Sequence, residues 1–492
     1  MKLVFVICAA LAAFVPRSQA KEKDSSALWE KAVVTLEVTR KQYDYQQPWS
    51  RRVDQVQKMA TIVGPNEILT TADYLADETL LRLQKGGRGR WWRGELVWID
   101  YHANLALVTV REAGFWKDTA VAKLSDPTPV HGEVSIARWR NGDLEVRKAD
   151  INRMVVKHSK LSFIDFAQLE VDSELNGAGW AEAIILGDRL VGLTSSKEEH
   201  SCTVIPSSLI QQCLAARNHQ PYRGLGYFAF VWQRSNNPEN LQHLKLVGEP
   251  RGAIVVEIPA EIRDKSTLEP YDVILEIDGF KIDSQGDYKD PQFGNLSLEN
   301  LANRKKGAGD ECRMKVWRHG KIQDVIYTIP KADFATQLVP HAVFDREPEY
   351  VMMGGLLFQP LTEPFLQSWG SDWSRKAPFR LSYATQEKPT PDRPSIVVLS
   401  SVLPDPVNLG YQDARYMMVD KLNGQPIRRL NDLIEAKTKS TNGFHVLEFH
   451  AGDSVSRLVL DASDTEAATS RVLKRYGIDR DYVLAPVPSP SK

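Results

Sequence analysis

Covalent attack on a peptide bond needs a hydroxyl or thiol with a base beside it, and a zinc site needs clustered His and Cys. The 492-residue chain offers little of either: its ten histidines are scattered and no C-x-x-C occurs. No metal and no cofactor is expected. Ser195, Ser196 and Ser207 stand in no nucleophile-like setting, and His102, two residues before Asn104, reads as a surface-loop histidine. Of the four cysteines, Cys8 lies in the N-terminal apolar run that has the form of a cleaved signal. Cys202 and Cys213 are close enough to pair in an oxidising compartment, but with Cys312 they then make an odd count, and buried thiols are the favoured reading. Two glycine-rich phrases carry clearer chemistry. In Arg223-Gly224-Leu225-Gly226-Tyr227-Phe228-Ala229-Phe230, a turn exposing successive backbone N–H groups would bind a terminal carboxylate, and the strand after it would accept an extended peptide along its edge. Met353-Gly354-Gly355-Leu356-Leu357-Phe358 is a second, weaker candidate. The basic, aromatic run from Lys85 to Arg93 would suit nucleic acid or lipid headgroups. A hairpin turn between two strands fits the surrounding pattern better.

These residues must be held by several domains. Residues 28–217 carry short β-branched runs punctuated by Gly, Asn, Asp and Pro, which predicts an all-β barrel or sandwich closed by a helix after Pro206. Two further units, residues 220–332 and 340–462, share an order of parts: a glycine loop, an apolar strand, a strand leading to Asp278-Gly279 or Asn423-Gly424, a helix-like stretch and paired strands. They read as a diverged internal repeat. Residues 463–492 are expected to form a terminal helix and a disordered Pro/Ser tail. Residues 1–20 have a single Lys2, an apolar run and Ser18-Gln19-Ala20, the form of a secretory signal, so a secreted or periplasmic location is expected. Hydrophobic residues make up 42% and the formal net charge is −1, which excludes a strongly basic nucleic-acid binder. No internal apolar run approaches the roughly 20 residues of a membrane span.

The second unit resembles a PDZ domain. The loop at Gly224–Ala229 is followed, at domain-sized spacing, by Gly252-Ala253-Ile254-Val255-Val256 and by Leu268 to Ile282. The third unit has Gly354-Gly355-Leu356-Leu357, then Ile396-Val397-Val398-Leu399 and Asp420-Lys421-Leu422-Asn423-Gly424 in the same order. It is expected either to bind peptide or to keep the fold as an assembly surface. A secreted β-domain followed by two such units resembles the HtrA/Deg serine proteases, and the plant-type branch in particular. That likeness is carried by Gly355-Leu356-Leu357-Phe358-Gln359-Pro360-Leu361-Thr362 and by the terminal Arg471 to Ile478. The resemblance implies a mainly β chain: a chymotrypsin-like double β-barrel followed by two PDZ domains, assembled as a trimer or larger homo-oligomer.

It also implies where a Ser-His-Asp triad should lie. The phrase that holds the family's His reads Ile68-Leu69-Thr70-Thr71-Ala72-Asp73-Tyr74-Leu75 here, so Asp73 takes its place. The phrase that opens on the family's Asp reads Asn104-Leu105-Ala106-Leu107-Val108. The nucleophile phrase reads Asn176-Gly177-Ala178-Gly179-Trp180-Ala181, which puts Gly177 or Ala178 at the Ser position. The glycine pair ahead of the first core strand reads Lys58-Met59-Ala60. A carboxylate with an ordinary pKa of about 3.9 is a poor base for a hydroxyl. Without Ser no acyl intermediate forms. The expectation is an inactive protease relative that binds peptides, C-termini or unfolded segments as scaffold, regulator or holdase. An active serine endopeptidase with a rearranged site and a structural component of an envelope complex are the alternatives.

Overall fold

The computed structural model describes residues 26–199, 201–219, 221–259, 267–452 and 455–485. The signal-like residues 1–20 and the tail from residue 486 lie outside them. Six strands close the first barrel: β1 (Val33–Tyr43), β2 (Arg51–Gly64), β3 (Glu67–Thr70), β4 (Glu78–Lys85), β5 (Trp91–Asp100) and β6 (Leu105–Thr109), in the order β1-β2-β3-β6-β5-β4. Side chains alternate across a strand. Val34, Leu36, Ile62, Ile68, Ala106 and Val108 therefore fill the barrel. Val33, Leu69, Leu105 and Leu107, on the opposite face, pack with Ala137, Phe166, Ala183, Leu193 and Ile205 of the second barrel. Both faces are buried, which is why these strands read as unbroken apolar runs. The Lys85–Arg93 run is the β4–β5 hairpin turn: Lys85 Nζ donates to the Phe115 and Lys117 carbonyls at 2.7 Å each, and the Arg90 guanidinium lies 3.8 Å from the Trp92 ring centroid.

The second barrel uses β7 (Lys123–Leu124), β8 (Gly132–Arg140), β9 (Asp143–His158), β10 (Asp165–Ser173), β11 (Ala183–Leu186), β12 (Arg189–Glu198) and β13 (Ser201–Pro206). β11 pairs with both β8 and β12, which closes a ring of six strands, and β7 adds parallel to β12. Helix α1 (Ser207–Ala216) follows Pro206 and buries Leu209, Ile210 and Cys213. Cys202, Cys213 and Cys312 are free, buried thiols.

The next unit holds β14 (Val231–Arg234), α2 (Pro238–His243), β15 (Ala253–Glu257), β16 (Val273–Ile277), β17 (Phe280–Lys281), β18 (Asp287–Asp290), β19 (Gly294–Ser297), β20 (Glu311–Arg318) and β21 (Lys321–Thr328). Its main sheet runs β14-β15-β16-β20-β21. The helix-like stretch expected after Asp278-Gly279 is instead the β18–β19 hairpin and a 3-10 turn over Leu298–Ala302. The reason lies next door. Asn300 Oδ1 accepts the Ala167 N–H at 2.9 Å and Gln292 Nε2 donates to the Thr128 carbonyl at 3.0 Å, so this stretch is shaped against the second barrel. One continuous core joins the two, with Val134, Ile151 and Val171 clustered with Phe228, Ile274 and Tyr327.

The last unit holds β22 (Tyr350–Met353), β23 (Leu356–Pro360), α3 (Glu363–Leu366), α4 (Trp373–Lys376), α5 (Phe379–Tyr383), β24 (Val397–Val402), β25 (Met417–Leu422), β26 (Gln425–Pro426), α6 (Leu430–Ala436), β27 (Phe444–Phe449), β28 (Arg457–Asp461), α7 (Ala462–Tyr476) and β29 (Tyr482–Val483). The repeat is visible in matching turns. Asp278-Gly279 and Asn423-Gly424 each hold two successive positive φ angles and join β16 to β17 and β25 to β26.

Residues 333–349 strap this last unit to the first barrel. The Phe334 ring stacks on His102 with centroids 4.2 Å apart, and Phe344 stacks on Tyr101 at 3.9 Å. Asp345 accepts from the Tyr101 hydroxyl at 2.6 Å and from the Asp77 backbone N–H at 2.9 Å. Burial, then the Asp345 charge, with Glu347 adding and Lys41 and Arg40 opposing, push the Asp77 carboxyl up to about 6. A raised carboxyl pKa favours the folded contact when protonated and penalises it as pH rises through that value. Amides of residues 333–349 should therefore exchange more slowly, relative to their intrinsic rates, at about pH 5 than at about pH 7.5. Asp77→Asn should remove the difference, as read by hydrogen exchange with mass spectrometry.

Candidate functional site

Asp73 lies just after β3, where the two barrels meet, and is 2% exposed. Its Oδ1 accepts from Lys58 Nζ at 2.8 Å and from Thr71 Oγ1 at 2.5 Å, and its Oδ2 accepts from Lys160 Nζ at 2.6 Å. Lys58 comes from β2 of the same barrel; Lys160 comes from the β9–β10 turn of the other. Burial would raise the Asp73 carboxyl, but the charges of Lys58 and then Lys160 outweigh it and hold the group down at about 2. Burial pulls the Lys58 ammonium below its usual range, and Asp73 opposes that pull. Lys58 Nζ also reaches the carbonyls of Thr71 and Asp73 at 2.8 Å each and Thr71 Oγ1 at 2.5 Å, so its protons are all directed at acceptors. Asp73 is thus a fixed anion with no role for a proton near neutral pH.

Asn104 sits beside it in the left-handed region, φ +54°, which Asn tolerates better than most residues. Its Oδ1 accepts the Asp73 backbone N–H at 3.0 Å, so it positions the chain and not the Asp73 side chain. Its Nδ2 is buried without a partner among the described residues.

The nucleophile-like turn is closed as well. Gly177 is left-handed with open space around it, and Ala178 is buried. The next two amides, Gly179 and Trp180, donate to the buried Glu182 Oε2 at 2.9 and 2.8 Å. The Trp180 carbonyl accepts the Met59 N–H at 2.8 Å, and its ring stacks on Tyr74 at 5.0 Å. Tyr74 holds φ +65°, costly for an aromatic residue, with Arg40 and Lys160 cations 4.9 and 5.8 Å from its ring centroid. Lys58, Lys160, Tyr74 and Trp180 thus meet around Asp73 at the junction of the two barrels.

Other serines offer no substitute. His102 Nδ1 lies 2.7 Å from Ser162 Oγ, but Ser162 is buried and Phe334 covers the imidazole. Asp100 gives its oxygens to the Ala103 N–H and the Tyr222 hydroxyl. His102 is thus a packed residue and not the surface-loop histidine its sequence setting suggests. Ser195 and Ser207 are buried and bonded to the carbonyls of Thr203 and Ser125. Among the described residues no cluster suits a metal ion.

The glycine loops differ from expectation. Gly224 to Phe230 form no regular strand; β14 begins only at Val231. Leu225, Phe228 and Phe230 face inward, and Ala229 is buried too. The Gly226 N–H donates to Asn303 Oδ1 at 3.0 Å and the Ala229 N–H to the Tyr327 hydroxyl at 3.2 Å. Tyr227 packs edge-on against Phe163 of the second barrel at 5.2 Å. Part of the amide cradle is therefore already filled by side chains. Among the described residues β14, however, pairs only with β15 and ends its sheet, leaving one edge open. Trp232 on that strand leans over Gly286 and donates its indole N–H to Glu299 at 2.6 Å. In the last unit Gly354 and Gly355, φ +57° and +86°, form a tight hairpin turn. Gly354 is bonded to Thr469 and Asn408, and Leu356 and Leu357 lie in β23, inside the sheet order β28-β27-β25-β24-β23-β22-β29. The edge beyond β23 is taken by the chain's own β22 and β29.

Comparisons with known proteins find these likenesses. Residues 339–483 match the PDZ domain family. "Protease Do-like 2, chloroplastic" from Arabidopsis thaliana is 25% identical over 478 residues, 93% of this chain and 75% of its own length. "Putative protease Do-like 13" from the same plant is 24% identical over 438 residues, 88% of this chain and 84% of its own. A solved HtrA-type protease, AlgW with a decapeptide, overlays with a TM-score of 0.47 at 17% identity, covering 63% of this chain and 98% of its own.

The ion cluster sets a stability test. Removing one charge from a buried pair leaves the other uncompensated and costs about 3–5 kcal/mol, whereas an apolar pair of similar volume is close to neutral. Asp73→Asn should lower the urea unfolding free energy by about that amount. Lys58→Met combined with Asp73→Leu should recover most of it. Because Asp73 titrates below its unfolded value of about 3.9, its contribution is present above that pH and fades as pH falls through about 2.

Proposed function

This chain belongs to the HtrA/Deg protease family, and we propose that within it the protein is a pseudoprotease: a protease fold that hydrolyses nothing and holds peptide segments as scaffold, regulator or holdase. The observation that carries this reading is the Asp73 ion cluster. The residue standing where a base is needed is an anion clamped by two lysines, and neither Gly177 nor Ala178 offers a nucleophile. The secretory reading of residues 1–20 and a homo-oligomeric state are part of the proposal; relatives named for the chloroplast and the mitochondrion mark other destinations.

Two features bear on what is held. Gly226 and Ala229 amides are already satisfied, which weakens a carboxylate cradle, while β14 keeps an open edge. An extended internal segment adding to β14 suits this better than a free C-terminus. The last unit, whose own β22 and β29 cover β23, suits assembly.

Purified protein should neither cleave casein nor take a fluorophosphonate label, and labelling that follows turnover would establish the active-endopeptidase alternative. In calorimetry, blocking a peptide's C-terminus as the amide should change Kd by less than about threefold. Loss of binding on amidation would restore the carboxylate-cradle reading, and no binding by any peptide would leave the structural-component alternative.

A further inference from the structure

The segment between β23 and β24 folds into α3, α4 and α5, and its two sides differ in character. Phe365, Leu366, Ala377, Leu381 and Ala384 point inward and pack with Ile396, Val398 and Met418. On the outside, Phe379 is 76% and Tyr383 49% exposed. They are four residues apart on α5, and their rings stack on each other with centroids 5.7 Å apart. On α4, packed beside α5, Arg375 and Lys376 are exposed, and no carboxylate pairs with either among the described residues. The surface of α4 and α5 thus presents an open aromatic pair beside cations free of carboxylate partners among the described residues.

We propose that α4 and α5 form a contact surface for an anionic lipid bilayer. Phe379 and Tyr383 would enter the headgroup region, and Arg375 and Lys376 would lie against lipid phosphates. Aromatic rings favour that interface, and cations are drawn to an anionic leaflet. Size argues for a bilayer over a protein. Two aromatic side chains bury roughly 300–500 Å², short of the roughly 800 Å² per side of a stable protein interface. A bilayer asks only for shallow insertion plus charge. The contact is reversible and peripheral; no described helix is long and apolar enough to cross a membrane.

The test is co-sedimentation of the purified full chain with vesicles of phosphatidylcholine alone and of phosphatidylcholine containing about 30% phosphatidylglycerol. Binding is expected to the anionic vesicles only, falling steeply at high salt. Each cation contributes about a fivefold gain in partition, so Arg375→Gln with Lys376→Gln should lose roughly twenty-fold, and Phe379→Ser with Tyr383→Ser at least about tenfold. All four side chains point outward, so unchanged circular dichroism is expected; salt dependence of the unaltered chain is read without any variant. Equal binding to both vesicle types, retained binding in both double variants, or no binding to anionic vesicles would overturn the proposal. So would a concentration-dependent dimer lost on Phe379→Ser, which would assign the face to a second copy of the chain.

Discussion

A carboxylate 2% exposed to solvent stays charged only if cations or hydrogen-bond donors replace its lost hydration, and at Asp73 cations arrive from both barrels. That requirement orders the centre of the molecule. Lys58 must leave β2 pointing at the end of β3, Thr71 must turn its hydroxyl inward, and Lys160 must be carried across by the β9–β10 turn. Asn104 completes the arrangement by taking the Asp73 backbone N–H. The cluster resembles a bolt more than a reaction centre: both Asp73 carboxylate oxygens and the Lys58 ammonium are already directed at other members. A buried pair of this kind roughly breaks even against apolar packing, and it is the removal of one partner alone that costs stability.

The remaining units are mounted on that rigid pair. The first PDZ unit shares a continuous core with the second barrel, and the side chains that pin it, Asn300 and Gln292, come from the stretch that would otherwise have been a helix. The second is tied by the 333–349 strap and by Gln359 to the Tyr45 carbonyl and Gln46 to Ser368, at the β1–β2 turn. The consequence, among the described residues, is a sheet end at β14 in the first unit, while in the last unit β22 and β29 cover the corresponding edge of β23.

Much of this was legible in the sequence, for a physical reason. Phrases such as Ile68–Leu75 and Asn104–Val108 contain the barrel strands β3 and β6, whose both faces are buried, so their apolar letters anchor the register and expose the odd residue at the strand's end, Asp73 or Asn104, at once. Asn-Gly and Asp-Gly turns marked the repeated hairpins in the same way. What stayed hidden was long-range. Lys58 shows in the sequence only as a residue in place of a glycine, and Lys160, eighty-seven positions from Asp73, gives no local sign. The buried aspartate was itself the available clue, since an anion in an apolar strand context demands a cation somewhere. The glycine loop at Gly224–Ala229 reports backbone freedom in the sequence, but its letters do not show that Asn303 and Tyr327 accept the Gly226 and Ala229 amides.

The most direct test of this account is a carbon-13 NMR titration of the Asp73 side-chain carboxyl in the folded protein. The account predicts a carboxylate that remains ionised across the neutral and mildly acidic range and begins to protonate only toward about 2. A carboxyl titrating near neutrality, coupled to any hydrolytic activity, would contradict it, because Asp73 would then be exchanging a proton as a base and not serving as the fixed anion between two lysines.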